Sequence, residues 1–220
     1  MLILSEKHKL AVFSIPKIAS SSIRLMMYEV TFGEPFDPLK TNLKSIYYVE
    51  WPNNNKFVYG ARGEISDYFQ TTVIRDPFKR LVSAYNFLFP KNITNPAMKA
   101  KFAERYSGLN PVPEFEEFLE NFEAYKETAG TVEFHVRPYK NSLGSELDQF
   151  NQVFKLEEMA GFSEMLRQKT GLSLDVPHAV KSGNTSPIKF QDLSEKGRKK
   201  AAEICEDDYQ LCKGYYEKPW

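Results

Sequence analysis

Short apolar runs alternate along the chain with longer stretches in which apolar residues recur every three or four positions. The runs Leu10–Ile15, Gln70–Ile74 and Gln152–Leu156 have the length and composition typical of buried β-strands. Each is followed by a stretch with helical spacing, and the first of these has apolar residues at Ile23, Met26, Met27 and Val30. Strands that alternate with helices predict an α/β fold, a mainly parallel sheet covered by helices on both faces.

Further elements follow from the same pattern. One of the serines at positions 20–22 is expected to cap the first helix, and Asp76 followed by Pro77 is typical of the start of another. Weaker strands are predicted at Ser45–Trp51 and Lys56–Tyr59, and an amphipathic helix is expected after Pro113. Two more helices carry apolar stripes over 159–166 and 201–212. Neither a linker nor a repeat divides the chain, so we expect one domain over residues 1–220.

Composition narrows the function classes. The chain has 220 residues, 42% of them hydrophobic, with 29 basic and 29 acidic side chains and a formal net charge of zero. This balance disfavours a nucleic-acid-binding protein, which usually carries a strong basic excess. No apolar stretch approaches the roughly 18 residues of a membrane span, and the N-terminus turns polar too early for a signal peptide. We therefore expect a soluble, cytoplasmic protein.

The cysteines and histidines give little sign of a metal or disulfide. Cys205 and Cys212 lie in one predicted helix, where the rise per residue separates them by about 10 Å, too far for a disulfide. We expect both to be buried, reduced thiols. With two cysteines and three histidines in the chain, a structural zinc site is not expected.

The first motif that carries chemistry joins a strand to a helix. It reads Pro16-Lys17-Ile18-Ala19-Ser20-Ser21-Ser22. A turn of this kind aims several backbone N–H groups and the positive end of the helix dipole at one point, where small residues let an anion approach. The motif lacks the glycines and the terminal lysine of a Walker A loop. It predicts a phosphate or sulfate site, although an ordinary helix start with a solvated lysine has the same pattern.

The second motif also joins a strand to a helix and runs from Val73 to Tyr85. Arg75 stands at the carboxyl edge of the predicted sheet, and Ser83 shares an outward helix face with Asp76 and Lys79. An arginine fork and a serine hydroxyl suit a second phosphate. The alternative is a surface network in which Arg75 and Arg80 pair with Asp76.

Together the two motifs resemble those of the carbohydrate sulfotransferases that use 3′-phosphoadenosine 5′-phosphosulfate (PAPS). Residues 16–22 look like that family's 5′-phosphosulfate loop, and the segment from Arg75 to Ser83 looks like its 3′-phosphate motif. His135-Val-Arg-Pro138 is similar to a His-Trp-x-Pro element of many members, with Val in place of Trp. Asn184 lies where the family has a loop that covers the nucleotide. The resemblance implies a P-loop-NTPase-like sheet of the sulfotransferase type.

The resemblance also implies a reaction, in which PAPS gives its sulfuryl group to a hydroxyl of an acceptor, expected to be a glycan, and adenosine 3′,5′-bisphosphate (PAP) leaves. Lys17 is expected to neutralise charge on the bridging oxygen, and no metal is needed. The lumenal members' membrane anchor and cysteine pairs are missing from this sequence, so we expect a bacterial cytosolic enzyme. The oligomeric state is not indicated by the sequence.

The general base is not settled by the motifs. Related enzymes place a His or Glu between the two phosphate motifs, where this chain offers the carboxylates Glu64 and Asp67 but no histidine. Glu64 is the first choice and His135 the second. Two other functions stay open, a P-loop-like kinase or NTPase, and a non-catalytic module that binds a nucleotide or glycan. Basic residues within 91–105 are candidates for contacts with an acidic sugar chain.

Overall fold

The computed structural model describes residues 1–41, 46, 65–90, 104–106, 108–174 and 188–220. The chain forms two compact units, each built from two separate stretches of sequence. The first comprises Met1–Arg75 and Tyr139–Lys181, and the second comprises Asp76–Pro138 and Ser182–Trp220. The weaker strand predictions at 45–51 and 56–59 lie, except for Ile46, outside the described residues. A single domain over the whole chain stays a prediction.

The elements that lie entirely within the described residues are four strands, nine α-helices and two short 3₁₀ helices. The strands are β1 (Leu2–Ser5), β2 (Leu10–Phe13), β3 (Phe69–Ile74) and β4 (Gln152–Lys155). The α-helices are α1 (Ser20–Phe32), α2 (Pro38–Thr41), α3 (Pro77–Leu88), α4 (Phe115–Glu120), α5 (Phe122–Thr128), α6 (Gly130–Val136), α7 (Lys140–Leu143), α8 (Met159–Thr170) and α9 (Glu195–Leu211). The 3₁₀ helices are Leu156–Glu158 and Phe190–Asp192.

The four strands form one sheet, in the first compact unit, in the order β1-β2-β3-β4. The pairs β2–β3 and β3–β4 are parallel, with Val12 opposite Thr71 and Val73 opposite Phe154. All four residues of β2 are buried, as a parallel strand at the centre of a sheet requires. The prediction of an α/β fold with a mainly parallel sheet flanked by helices is confirmed.

The sheet begins earlier in the chain than the sequence predicts. β1 pairs with β2 as an antiparallel hairpin, in which Ser5 lies opposite Leu10. The turn between them carries Lys9 with a positive φ of 47° and a hydrogen bond from its N–H to the Glu6 carbonyl oxygen, 3.2 Å. Because this turn lacks the Asn-Gly or Asp-Gly pair typical of hairpins, the pattern did not separate β1 from a polar N-terminus.

β4 is also less buried than predicted. The strand itself is confirmed at Gln152–Lys155, but only Phe154 of its four residues is buried. β4 stands last in the strand order of the described sheet. A strand in that position packs one face and leaves much of the other accessible, so the continuous apolar pattern of a central strand is not needed.

Aromatic side chains dominate the core of the second compact unit. Tyr85 on α3 packs against Phe115 on α4 with ring centroids 5.0 Å apart, and Phe118 and Tyr125 extend the same cluster. The helix predicted after Pro113 is divided at Asn121 into α4 and α5, although its apolar stripe is buried at Phe115, Phe118, Leu119, Phe122 and Tyr125. Asp76 caps α3, since its Oδ1 accepts a hydrogen bond from the Lys79 N–H at 2.8 Å, and Pro77 opens the helix as predicted.

The cysteines are buried and form no disulfide, as predicted. Burial raises the pKa of both thiols, which keeps them protonated and unreactive. No helix in the described part of the chain is long and apolar enough to cross a membrane.

Candidate functional site

The loop between β2 and α1 has an unusual backbone for a segment without glycine. Lys17 has φ 72° and Ala19 has φ 62° with ψ 35°, both in the left-handed region that non-glycine residues rarely occupy. Each costs of order 1–2 kcal/mol relative to an ordinary conformation. Left-handed residues in a turn of this kind help to point neighbouring N–H groups towards one concave point, as in the nests that bind anions.

The helix that follows this loop begins one residue after the second left-handed position. Ala19 occupies the N-cap position and α1 has no side-chain cap, so the prediction of a serine cap is wrong. Ser20, Ser21 and Ser22 instead form the first turn of the helix. The positive end of the helix dipole therefore coincides with the loop.

The seven residues of the first motif are not equally accessible. Pro16 and Ile18 are buried, with 0% of Ile18 exposed, and Ser22 is 6% exposed. Lys17, Ala19, Ser20 and Ser21 are half-buried. We infer that Ile18 anchors the loop in the core, while the accessible part of the motif consists of one lysine, one alanine and two serines.

The charge of Lys17 is disfavoured by its surroundings. Burial and, to a smaller extent, the neighbouring Arg75 guanidinium lower the pKa of its ammonium group to about 8. Because desolvation and a like charge both oppose protonation, an anion that binds beside Lys17 would stabilise the charged form and gain free energy. Perturbed lysines of this kind are more frequent at functional sites than elsewhere.

Arg75 links the second motif to the first. It follows β3 at the carboxyl end of the strand, and its Nη1 donates a hydrogen bond to the Lys17 carbonyl oxygen at 3.1 Å. Parallel strands β2 and β3 both point towards this edge of the sheet, which is the edge where α/β folds bind ligands. The structure therefore brings together Lys17 and Arg75, which the sequence had predicted separately.

Tyr139 contacts the same segment and was not predicted from the sequence. Its hydroxyl accepts a hydrogen bond from the Arg75 N–H at 3.0 Å and donates one to the Arg75 carbonyl oxygen at 2.7 Å. The ring is 1% exposed. The available signal was its place directly after His135-Val-Arg-Pro138, the segment that the resemblance had already singled out.

The alternative of a surface network around Asp76 is wrong. Arg80 is only 5% exposed, and its Nη2 lies 2.9 Å from Asp208 Oδ2 on α9. The same Nη2 donates to the Arg137 carbonyl oxygen at 2.8 Å. Asp76 instead caps α3 and accepts a hydrogen bond from the Tyr209 hydroxyl at 2.9 Å. Arg80 is thus a buried structural cation of the second unit.

Asp67 does not suit the role of a general base. It is exposed, forms an ion pair with Lys9 at 2.8 Å, and precedes the amino end of β3, whereas Arg75 follows the carboxyl end. The hydrogen bond from Lys9 lowers the pKa of the Asp67 carboxyl group, which makes the carboxylate a weaker base.

Of the remaining predicted site residues, two belong to the second compact unit and two lie outside the described residues. Ser83 is half-buried on α3, and His135 is half-buried in the last turn of α6, where its ring centroid lies 4.6 Å from that of Phe87. Both belong to the second compact unit. Glu64 and Asn184 lie outside the described residues, as do most of the basic residues of 91–105.

The described arrangement suits an anion more than a metal. Lys17, Arg75 and the N–H groups at the start of α1 all favour negative charge. Among the described residues there is no group of three or more His, Cys, Asp or Glu side chains that could hold a metal ion.

Comparison with known families identifies the class of protein. The family model described as the sulfotransferase family matches residues 1–217, so the chain belongs to the sulfotransferase family. Its members are enzymes of sulfuryl transfer and generally take PAPS as donor. Neither the curated proteins nor the solved structures that were searched give a match.

Proposed function

We propose that this enzyme moves the sulfuryl group of PAPS to a hydroxyl group of a carbohydrate acceptor. The observation that supports the proposal most is the hydrogen bond of 3.1 Å from the Arg75 guanidinium to the Lys17 carbonyl oxygen. PAPS carries a 5′-phosphosulfate and a 3′-phosphate, and therefore needs two groups of cationic and N–H donors a short distance apart. The Lys17 loop and Arg75 meet that requirement.

In this proposal the 5′-phosphosulfate binds the loop of residues 16–22. The donors are the N–H groups of the first turn of α1, the Ser20 and Ser21 hydroxyls and the Lys17 ammonium group. Pro16 has no N–H, and the buried Ile18 side chain holds the loop in place, so these two contribute by shape. Arg75 binds the 3′-phosphate, and Ser83 and Asn184 are further proposed ligands of the nucleotide.

The chemistry is an in-line displacement. The acceptor oxygen attacks sulfur, the bond between sulfur and the bridging phosphate oxygen breaks, and PAP leaves with the bonding electron pair. The transition state is loose, so positioning and charge stabilisation supply most of the acceleration. Lys17 stabilises the negative charge that develops on the bridging oxygen, an interaction stronger in the transition state than in the ground state.

The acceptor proton requires a base, and we propose Glu64, with His135 as the second candidate. Glu64→Gln keeps the shape of the side chain but cannot accept a proton, and general-base assistance is typically worth 10²- to 10⁴-fold in rate. If Glu64 is the base, turnover falls in that range and the acidic limb of the pH–rate profile is lost. His135→Ala is the comparison, because a histidine base would place the limb near the ordinary value of about 6.5.

A sulfuryl-transfer assay with radiolabelled PAPS and a panel of neutral and acidic oligosaccharides tests the proposal. We expect transfer by the wild type, and a loss of turnover of about a hundredfold or more in Lys17→Ala. Lys7→Ala, which removes an exposed lysine from the β1–β2 turn, is the matched control and should act normally. Magnesium-dependent ATP turnover without sulfuryl transfer would support the kinase alternative instead.

A cytoplasmic location is part of the same proposal. Fractionation of the native host with an antibody against the chain is the direct test.

A further inference from the structure

The Tyr139 hydroxyl makes two hydrogen bonds to the backbone of Arg75. It accepts one from the Arg75 N–H at 3.0 Å and donates one to the Arg75 carbonyl oxygen at 2.7 Å. The two residues are 64 positions apart in the sequence and belong to the same compact unit. A tyrosine hydroxyl has one proton to donate and lone pairs to accept, so this contact uses both functions at once.

Tyr139 contacts the residue that directly follows the last paired residue of β3. The last pair of the β3–β4 ladder is Ile74 with Lys155, and Arg75 is the next residue. A backbone N–H and carbonyl at the end of a strand need partners, since an unsatisfied polar group in a buried place is costly. The Tyr139 hydroxyl supplies both partners, and so fixes the backbone from which the Arg75 side chain extends.

The Arg75 side chain continues the same chain of contacts. Its Nη1 donates to the Lys17 carbonyl oxygen at 3.1 Å, and Lys17 is one of the two left-handed residues of the loop. Hydrogen bonds therefore run from Tyr139 through Arg75 to the loop. An arginine side chain loses rotamer entropy when it is held in one position. If the Arg75 backbone is already held in place by the fold, less of this entropy has to be lost when a ligand binds.

We propose that Tyr139 is a positioning residue of the donor site, which aims the Arg75 guanidinium at the 3′-phosphate and holds it against the Lys17 loop. This inference rests on the proposed function, because the ligand of Arg75 is the 3′-phosphate of PAPS. Tyr139 does not touch the donor in this proposal and acts only through Arg75. Removal of its hydroxyl should therefore weaken recognition of the 3′-phosphate and leave the rest of the nucleotide bound as before.

The test compares PAP with AMP, which lacks the 3′-phosphate, by isothermal titration calorimetry on the whole chain. We expect the wild type to bind PAP more tightly than AMP, and Tyr139→Phe to lose on the order of tenfold in PAP affinity. AMP affinity should not change. In an Arg75→Ala background, Tyr139→Phe should cause no further loss of PAP affinity, because the hydroxyl acts through the arginine.

Tyr125→Phe is the matched control, since it also removes a buried tyrosine hydroxyl that bonds a backbone carbonyl, that of Asn110 at 2.7 Å. A general loss of stability would affect both variants, whereas the ratio of PAP to AMP affinity should change only in Tyr139→Phe. An unchanged ratio in Tyr139→Phe, with discrimination intact in the wild type, overturns the positioning role alone. A wild type that does not distinguish PAP from AMP overturns the proposed function, and the positioning role with it.

If Tyr139→Phe does not fold, hydrogen exchange of the Arg75 amide in the wild type decides the question. An amide held by the Tyr139 hydroxyl exchanges slowly, and more slowly still when PAP binds. An Arg75 amide that exchanges as fast as an exposed one, with or without PAP, overturns the inference.

Discussion

The cations of the two compact units have different surroundings. In the first unit, Lys17 and Arg75 lie side by side, and burial together with the neighbouring guanidinium lowers the pKa of Lys17 to about 8. In the second unit, Arg80 lies 2.9 Å from Asp208, and both side chains are almost completely buried. A cation that already has its carboxylate in the fold stabilises structure. A cation whose charge is disfavoured gains most when an anion arrives.

The comparison also separates two arginines of a single sequence motif. Arg75 and Arg80 both stand in the segment that resembles a 3′-phosphate motif, and composition does not distinguish them. Arg75 contacts the loop at the start of α1, whereas Arg80 points into the helical core and contacts α9. Only the first is therefore a candidate ligand.

The largest effect is expected from breaking the buried pair of the second unit. Asp208→Ala leaves the Arg80 guanidinium buried without its carboxylate, which typically costs about 3–5 kcal/mol. Unfolding by urea, followed by circular dichroism, measures the loss. Asp207→Ala removes an exposed neighbour on the same helix and should change the free energy of unfolding by less than about 0.5 kcal/mol.

A double variant refines this test. Arg80→Met with Asp208→Leu removes both charges and fills their space with apolar groups, so most of the lost stability should return. If the single variant Asp208→Ala is as stable as the wild type, the pair is not the structural element that we infer.

The second prediction concerns Lys17 and pH. Its pKa is about 8 in the folded protein and ordinarily 10.5, so between these values the unfolded chain binds more protons than the folded one. Stability should therefore rise with pH across this window. In Lys17→Met the contribution of this lysine to the rise should be lost, while the exposed-lysine variant Lys7→Met should follow the wild type. Urea unfolding at several pH values measures both, and identical slopes for all three proteins would contradict the lowered pKa.

The third prediction concerns a polar contact that the second unit uses for its own stability. A Cβ on Gly197 would lie 2.8 Å from Glu116 Cδ, and Glu116 Oε1 accepts a hydrogen bond from the Ser194 N–H at 2.9 Å. Gly197→Ala should displace the end of the Glu116 side chain and break its contacts with Ser194 while the Ser194 cap of α9 stays in place, and the helix propensity of alanine offsets part of the loss, so the net destabilisation should be less than about 1 kcal/mol. Thermal unfolding measures the change.

Gly130 provides the control for that substitution. A Cβ at this first residue of α6 would meet no atom within 4 Å, so Gly130→Ala should be neutral or stabilising. A stabilising Gly197→Ala would mean that Glu116 moves aside at no cost.

The smallest effect is expected at the end of β2. Ser14 is 2% exposed, and within the described residues its Oγ makes no hydrogen bond. Replacement by alanine removes a desolvated hydroxyl, so Ser14→Ala should change the free energy of unfolding by less than about 1 kcal/mol. Thr72→Val is the contrast, since the Thr72 hydroxyl donates to the Phe13 carbonyl oxygen at 2.8 Å. If Ser14→Ala is the more damaging of the two, the Ser14 hydroxyl has a partner that matters.

Local pattern was sufficient for most elements of the fold. The buried run at Leu10, the β-branched strand before Arg75 and the cap at Asp76 each specify their structure within a few residues, and β2, β3 and the start of α3 are confirmed. β1 was missed because three apolar residues before a polar turn have no distinctive period. The prediction of a serine cap was wrong because two left-handed residues place the helix start at Ser20. No local propensity favours a left-handed backbone at lysine or alanine.

The sequence by itself determined the α/β class, the family resemblance and the two segments with anion-binding chemistry, because residue type and spacing along one strand and one helix are local properties. Only the tertiary structure decided that Arg75 contacts the Lys17 loop, that Arg80 is buried against Asp208, and that Tyr139 clamps the Arg75 peptide. Those contacts join residues 58 or more positions apart. Each of these contacts depends on which strands pair and on which helix covers which face of the sheet. Strand pairing and helix packing are not encoded within a window of a few residues.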